Sequence, residues 1–323
     1  MSLIDTYGRV HRDLRVSLTD RCSLRCTYCM PENQIFAPKS TLMSADEVVA
    51  FSAAFVKLGI NKIRLTGGEP LVRSDFAEII SRIAELKSVG LKTLTLTTNG
   101  ILLHQRLQTI LDAGVEDINV SLDTLMPDRF LKMTRRDQFH KVMSNIHLLL
   151  DNQVNTKVNV VVMSGINDDE VFEFIHFTRD YPIEVRFIEF MPFEGNNWRS
   201  GKMISSAALL KRASDHFELI PVENSFHGTA KIFRVLGYTG KFGFISTMTA
   251  PFCEGCNRIR LTADGKIKNC LFSKGEMDLL SHYRNGIDIK AMIEENILAK
   301  EERWGGQSLF ENTANRPMVA IGG

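Results

Sequence analysis

Three cysteines lie close together near the start of the chain: Cys22, Cys26 and Cys29. Thiolates at this C-x3-C-x2-C spacing can hold three irons of a four-iron cluster, which leaves the fourth iron free to chelate the amine and carboxylate of an amino acid. Because a closed structural site normally takes four protein ligands, the triad indicates a site kept open for a small molecule. The alternative is a zinc ion completed by a distant ligand, with His11 the nearest histidine.

The chain has a second group of three cysteines: Cys253, Cys256 and Cys270. This triad predicts either a second open cluster or a zinc site in which His282 or another histidine supplies the fourth ligand. Arg258 and Arg260 lie between these cysteines, two residues apart, so in a strand both side chains share one face. Such a pair suits a polyphosphate, although a pair of surface arginines is more often simply solvated.

Composition narrows the class of protein. The 323 residues are 44% hydrophobic and 24% charged, which is typical of a globular protein, and six cysteines in two triads need no disulfides. A net charge of +1 gives no global field, so we expect neither nucleic acid nor membrane as a partner. No apolar run approaches the ~18 residues of a membrane span and the first residues resemble no signal peptide, so we predict a cytoplasmic protein.

Short strand-like runs alternate with amphipathic helical segments as far as residue 190, which predicts parallel strands joined by right-handed crossovers. A capping box from Ser44 to Glu47 begins one helix, and Gly59 can end it. Six units are too few for a complete eight-stranded barrel, while a partial barrel and a doubly wound sheet both fit the count. The predicted strands are residues 14–18, 62–66, 92–97, 117–122, 157–163 and 184–190.

After residue 191 the alternation breaks, so we predict one unit over residues 1–195 and a smaller one over 196–323. In the second unit, an Asp264-Gly265 turn joins two strands around the second triad, at 258–262 and 267–270. Both candidate architectures place their active site at the carboxyl ends of the strands. The first triad and Gly67-Gly68-Glu69-Pro70 follow the first two strands, as this rule requires.

The first triad with Tyr28 before its last cysteine, and the segment from Thr66 to Pro70, resemble the radical S-adenosylmethionine superfamily. This resemblance implies an α/β fold, a partial (β/α)6 TIM-like barrel with a smaller C-terminal α+β extension covering the barrel opening. It also implies a [4Fe-4S] cluster on the first triad, with S-adenosylmethionine bound to the open iron. In the strand-two segment, the glycines allow close backbone approach and Glu69 offers a counter-charge or acceptor beside the methionine amine.

Three segments together resemble one subfamily, the MoaA-type GTP 3′,8-cyclases of molybdenum cofactor biosynthesis: residues 20–32, 64–73 and 253–265. The resemblance implies conversion of GTP to 3′,8-cyclo-7,8-dihydro-GTP after a 5′-deoxyadenosyl radical abstracts the ribose C3′ hydrogen. It implies a second [4Fe-4S] cluster on Cys253, Cys256 and Cys270 that binds the guanine edge. An external electron donor and a downstream enzyme for the product are implied partners, and a homodimer is compatible.

Carried over by position, the resemblance assigns GTP contacts to seven residues: Arg15, Arg64, Thr95, Lys157, Arg258, Ile259 and Arg260. It assigns S-adenosylmethionine contacts to four: Tyr28, Gly68, Ser121 and Met191. The cations suit a triphosphate on their own chemistry, whereas Met191 and Ser121 alone would indicate a core residue and an ordinary strand residue. The terminal Gly322 and Gly323 are implied to reach the active site, with Pro317 leaving the path of this tail open.

Two rival functions are considered. A two-cluster radical S-adenosylmethionine enzyme that modifies a peptide would carry more cysteines in its C-terminal part than this chain does. A non-catalytic iron–sulfur or zinc regulator that binds nucleic acid through Arg258 and Arg260 is disfavoured by the neutral net charge and by the lack of an aromatic-basic stripe.

Overall fold

The computed structural model describes residues 2–223, 226–308 and 316–322. It is an α/β structure whose main feature is a mixed sheet of twelve strands in the order β14-β13-β12-β3-β4-β5-β6-β7-β8-β11-β10-β9. The main-sheet strands are β3 Asp13–Ser17, β4 Lys62–Thr66, β5 Thr93–Thr98, β6 Asp117–Ser121, β7 Asn155–Val162, β8 Glu184–Glu189, β9 Leu219–Val222, β10 Lys231–Val235, β11 Lys241–Ile245, β12 Arg258–Leu261, β13 Lys266–Lys268 and β14 Met277–Asp278. A separate two-stranded hairpin pairs β1 Leu3–Ile4 with β2 Val10–His11.

The helices are α1 Ala45–Lys57, α2 Phe76–Glu85, α3 Leu103–Asp112, α4 Pro127–Thr134, α5 Phe139–Asp151, α6 Val171–Phe177, α7 Ser206–Ser214, α8 Leu279–Arg284, α9 Lys290–Leu298 and α10 Met318–Ile321. Helices α1 to α6 fill the connections between the consecutive parallel strands β3 to β8. Among the described residues, no helix is long and apolar enough to cross a membrane.

Strands β3 to β8 are parallel neighbours in chain order, as the strand–helix alternation predicts. The six predicted strands are confirmed, each with both ends within two residues of the predicted limits. Two strands from the C-terminal part extend this parallel set, since β12 pairs with β3 and β11 pairs with β8. Eight neighbouring strands are therefore parallel, and both predicted units contribute to one sheet.

The pattern of alternate residues explains which face of the sheet carries the core. Leu14 and Val16 of β3 are completely buried and belong to the same apolar cluster as Phe51 and Phe55 of α1. The residues between them point to the opposite face, where polar side chains predominate. The strands thus present an apolar face to the helices and a polar face to a cavity.

Helix α1 begins and ends as its sequence predicts. The Ser44 hydroxyl accepts a hydrogen bond from the Glu47 amide at 3.2 Å, and the Glu47 carboxylate accepts one from the Ser44 amide at 2.8 Å. The predicted capping box is confirmed, and Gly59 just beyond the helix has a φ of 101°.

Candidate active site

The loop with the first cysteine triad follows β3, at the carboxyl end of the strand. Its backbone is fixed to α4, because the Arg25 and Thr27 amides donate to the carbonyls of Thr134 and Met133, each at 2.9 Å. The three thiols are free and partly buried, and they line one cavity. Burial, followed by the nearby Glu69 carboxyl, raises the pKa of Cys22 to about 11.

The other two thiols of this triad show the same effect. Burial and then the charge of neighbouring thiols raise the pKa of Cys26 and of Cys29 well above the ordinary range. Three adjacent thiols that resist deprotonation need a strongly positive partner to become thiolates together. This donor set fits an iron–sulfur cluster.

The Gly-Gly-Glu-Pro turn after β4 packs directly against the chain that leads into this triad. The Gly68 amide donates to the Thr19 carbonyl at 2.6 Å, and the Glu69 amide to the Arg21 carbonyl at 2.8 Å. A Cβ on Gly68 would lie 2.5 Å from the Arg21 oxygen. The close approach allowed by this glycine is therefore to the chain's own backbone, and Gly68 also lines the cavity.

The Glu69 carboxylate is completely buried and already holds three hydrogen bonds. It accepts from the Leu71 amide at 3.0 Å, the Thr98 hydroxyl at 2.8 Å and the Asn99 amide at 2.6 Å. Burial raises the pKa of Glu69 to about 7, although these hydrogen bonds act to lower it. Glu69 thus joins the turn to the end of β5, an acceptor role directed at the chain itself.

The predicted S-adenosylmethionine contacts lie together on the cavity wall: Tyr28, Gly68, Ser121 and Met191. Asp123, which was not selected as a site residue, lines the cavity beside them and hydrogen-bonds the Tyr28 hydroxyl. Burial raises the pKa of Asp123 to about 6, and its carboxylate accepts from the Val161 amide at 2.9 Å. The sequence does carry a signal for Asp123 as a site residue, namely its position at the end of the fourth predicted strand.

Arginines from three adjacent strands form a row beneath these groups. In the sheet register Arg260 lies beside Arg15, and Arg15 lies beside Arg64. Arg258 lies two residues before Arg260 on the same strand, β12. All four line the cavity. Burial, then Arg260 and Arg64, hold the pKa of Arg15 well below its usual range, and burial followed by Arg258 lowers that of Arg260 to about 10.

Several nitrogens in this row lack partners. Arg15 Nε, Arg64 Nε and one terminal nitrogen of Arg258 are buried, with no hydrogen bond to any described residue. Buried polar groups are almost always hydrogen-bonded, and like charges held together require an opposite charge. The arginine row is therefore complementary to a polyanion.

Three predicted GTP contacts do not line this cavity: Thr95, Lys157 and Ile259. The Thr95 hydroxyl donates to the Ile63 carbonyl at 3.4 Å, and the Ile259 side chain is completely buried in the core. Lys157 pairs with Asp117, and burial followed by Arg186 lowers the pKa of Lys157 to about 7. Conversely, Arg186 lines the cavity without having been selected, although its place between the apolar Val185 and Phe187 was a visible signal.

The second cysteine triad lines the same cavity: Cys253, Cys256 and Cys270. Burial acts to raise the pKa of Cys256, but Arg258 and Lys300 outweigh it and lower the value to about 6. The zinc alternative at either triad needs a further ligand beside the three cysteines. The two histidines named for that alternative bond elsewhere, His11 to Asp5 and His282 to the Asp278 carbonyl.

The C-terminal tail reaches the arginine row. Pro317 immediately precedes α10, and the Gly322 carbonyl accepts a hydrogen bond from Arg260. Gly322 is buried with a φ of 75°, and a Cβ there would lie 2.7 Å from the Thr66 hydroxyl oxygen. Gly323 lies outside the described residues.

Two family models match the chain. The model of the radical SAM superfamily covers residues 16–178, and the molybdenum cofactor synthesis C model covers 183–305. A mitochondrial GTP 3′,8-cyclase of Arabidopsis thaliana is 45% identical over 99% of this chain and 83% of its own length. A GTP 3′,8-cyclase of Peptoclostridium acidaminophilum is 41% identical over 99% of this chain and 98% of its own length.

The chain belongs to the GTP 3′,8-cyclase family of radical S-adenosylmethionine enzymes. It spans 51% of a longer mouse relative, molybdenum cofactor biosynthesis protein 1, with 43% identity. The fold also resembles that of Streptococcus suis SuiB crystallised with S-adenosylmethionine, with a TM-score of 0.62, 14% identity and coverage of 86% of this chain and 67% of that one.

Membership of the GTP 3′,8-cyclase family makes the chain an enzyme and removes the alternative of a non-catalytic regulator. The superfamily combines S-adenosylmethionine with an iron–sulfur cluster, and the thiol donor set of the first triad fits such a cluster. The SuiB likeness concerns the fold and does not favour a peptide substrate.

Proposed function

We propose that this enzyme converts GTP to 3′,8-cyclo-7,8-dihydro-GTP in the first step of molybdenum cofactor biosynthesis. The observation that carries the proposal is one cavity of about 570 Å³ lined by both cysteine triads and by the four arginines. A radical source and a triphosphate site that share one cavity are what this intramolecular cyclisation needs.

In this proposal the first triad, Cys22, Cys26 and Cys29, holds a [4Fe-4S] cluster, and the second triad holds another. Tyr28, Gly68, Ser121 and Met191 contact S-adenosylmethionine. Such a cluster and S-adenosylmethionine, when bound, supply a primary carbon radical that can take the ribose C3′ hydrogen.

The chain itself provides binding, orientation and shielding. Arg15, Arg64, Arg258 and Arg260 neutralise the triphosphate. Thr95, Lys157 and Ile259, to which the resemblance assigns GTP contacts, do not line this cavity, so the proposed triphosphate site rests on the four arginines. Arg186 lines the same cavity and adds to the positive charge. A guanidinium can form two parallel bonds to phosphate oxygens, so the row also fixes the orientation of the nucleotide.

We also propose that the sheet forms a partial (β/α)6 barrel within residues 1–195, with residues 196–323 covering its opening. Support comes from the six parallel strands β3 to β8, each of which contributes residues to the lining of one cavity. The tail then brings Gly322 to the nucleotide through its contact with Arg260. An external electron donor and a downstream enzyme that takes the product complete the set of partners.

The test uses anaerobic protein with reconstituted clusters, a reductant and S-adenosylmethionine, offered GTP or ATP. We expect 5′-deoxyadenosine and a product with the mass of GTP from the GTP reaction, and transfer of deuterium to 5′-deoxyadenosine from GTP deuterated at C3′. Loss of GTP dependence, or no deuterium transfer, would overturn the assignment.

Matched variants separate the two triads. Cys22→Ala should abolish cleavage of S-adenosylmethionine, whereas Cys256→Ala should retain uncoupled cleavage and lose nucleotide binding and cyclised product. Loss of the first cluster's spectrum in both variants would contradict two independent sites.

A further inference from the structure

Lys300, which lies just after α9, is a buried lysine at the second triad. It is 3% exposed, and its ammonium donates to the Cys256 sulfur at 3.4 Å and to the Arg258 carbonyl oxygen at 3.0 Å. A lysine is almost never this buried unless its charge is compensated. Because one partner is a neutral carbonyl, the sulfur of Cys256 is the group that can supply the compensating negative charge.

Arg9 of the N-terminal hairpin fixes the position of the segment that carries Lys300. The Arg9 guanidinium donates to the Cys253 carbonyl at 3.1 Å and to the carbonyls of Glu301 and Glu302, each at 2.8 Å. Arg9 is held in turn by Asp5, at 2.6 Å. One guanidinium therefore ties the segment that carries Lys300 to the loop that carries Cys253.

The first triad has the opposite surroundings. The Cys22 sulfur accepts hydrogen bonds from two uncharged donors, the Leu24 amide at 3.4 Å and the Asn99 side chain at 3.6 Å. The charged groups beside this triad include the carboxyl of Asp123 on the same cavity wall and Arg25, which donates to the Cys22 carbonyl at 2.6 Å and to no sulfur among the described residues. The Cys256 sulfur is thus contacted by two cations, Lys300 and Arg258, whereas the Cys22 sulfur is contacted by neutral amides.

We propose that Lys300 is a positioning residue that raises the reduction potential of the cluster on Cys253, Cys256 and Cys270 above that of the cluster on the first triad. This inference rests on the proposed function, since it requires a cluster at each triad. Reduction adds one electron from the external donor and breaks no bond. The extra negative charge is stabilised by a cation that hydrogen-bonds a ligating sulfur, and such bonds and local charges set cluster potentials.

The experiment is a redox titration of the reconstituted protein followed by electron paramagnetic resonance. To isolate the second cluster, it is repeated with the first three cysteines replaced by alanine. Lys300→Met should shift the second midpoint to more negative values and leave the first unchanged, while Lys300→Arg should keep most of the original value. The control is Arg303→Met, which removes a nearby cation that touches no sulfur. Arg303 is exposed and pairs with Glu254 at 3.3 Å.

An unchanged second midpoint in Lys300→Met, or an equal shift in Arg303→Met, would overturn the proposal. If Lys300→Met assembles no second cluster, protein labelled with 15N-lysine decides: we expect a 15N coupling to the reduced second cluster that Lys300→Arg abolishes, and its absence overturns the proposal. If the unsubstituted protein forms no cluster at the second triad, the two-cluster part of the proposed function fails, and this inference with it.

Discussion

At the scale of residues, the arginine row favours binding of an anion but lowers the stability of the protein without nucleotide. Arg15, Arg64 and Arg260 share one register, and two of them have buried nitrogens without partners among the described residues. A cluster of like charges in a partly desolvated cavity destabilises the folded chain until an anion enters.

We therefore predict opposite effects of Arg15→Met on stability and on binding. Removal of one repelled cation should raise the free energy of unfolding of the cluster-free protein by roughly 1–2 kcal/mol. Loss of its charged hydrogen bonds should weaken GTP binding by roughly 10- to 100-fold. Urea denaturation and calorimetric titration measure the two quantities. Arg234→Met, at an exposed position on β10, is the control, and a destabilised Arg15→Met protein would contradict the argument.

Glu69 predicts a pH dependence of stability. Burial raises its pKa in the folded protein to about 7, above the ordinary 4.5, so between these values the folded state binds more protons than the unfolded state. The contribution of Glu69 to stability is therefore full below pH 4.5 and is lost as the pH rises to 7, by roughly 3 kcal/mol. Urea titrations at pH 5 and pH 7.5 should show a loss of stability that is smaller in Glu69→Gln than in the parent by this amount, because Asp123 still titrates in the variant. Equal losses in the two proteins would refute the prediction.

At the scale of elements, the turn after β4 is the contact that places the first triad. A Cβ on Gly68 would meet the backbone at Arg21, one residue before Cys22. We expect Gly68→Ala to displace this loop, to cost about 1–3 kcal/mol as overpacking does, and to lower the iron content after reconstitution. Gly201→Ala is the matched control, because nothing lies within 4 Å of its Cβ position. Equal iron content in both variants would show that the turn does not position the triad.

The sequence predicted the elements better than their contacts. Periodicity located all six strands β3 to β8, because alternate apolar residues and turn signals are local. The pairing of β12 with β3 and of β11 with β8 was not predictable, since register over long separations leaves no local pattern. For the same reason Arg186 was missed, and the hydrogen bond from the end of β5 to the Glu69 carboxylate was not predictable.

At the scale of the whole molecule, the C-terminal tail closes onto the cavity through one charged anchor. Arg316 donates to Asp264 at 3.0 Å and to Glu276 at 3.1 Å, and six residues later Gly322 contacts Arg260. Asp264 lies in the turn after β12 and Glu276 just before β14, so the tail docks on the C-terminal strands.

We predict that Arg316→Gln releases this tail. Amide hydrogen exchange over residues 318–322 should accelerate by at least about tenfold if the anchor contributes the 1.4 kcal/mol that such a factor requires. Exchange in α1 should stay unchanged. Arg303→Gln is the control at an exposed site, and equal exchange of the tail in both variants would mean that other contacts hold it.

The arginine row has a consequence for how long each molecule survives in a cell. A ligand that binds the folded state alone lowers the population of opened forms that proteases attack, and here it also removes a repulsion present in the empty protein. We therefore expect the half-life of the enzyme to lengthen when its nucleotide is abundant and to shorten when nucleotide is scarce. Its abundance would then follow substrate supply without any dedicated regulator.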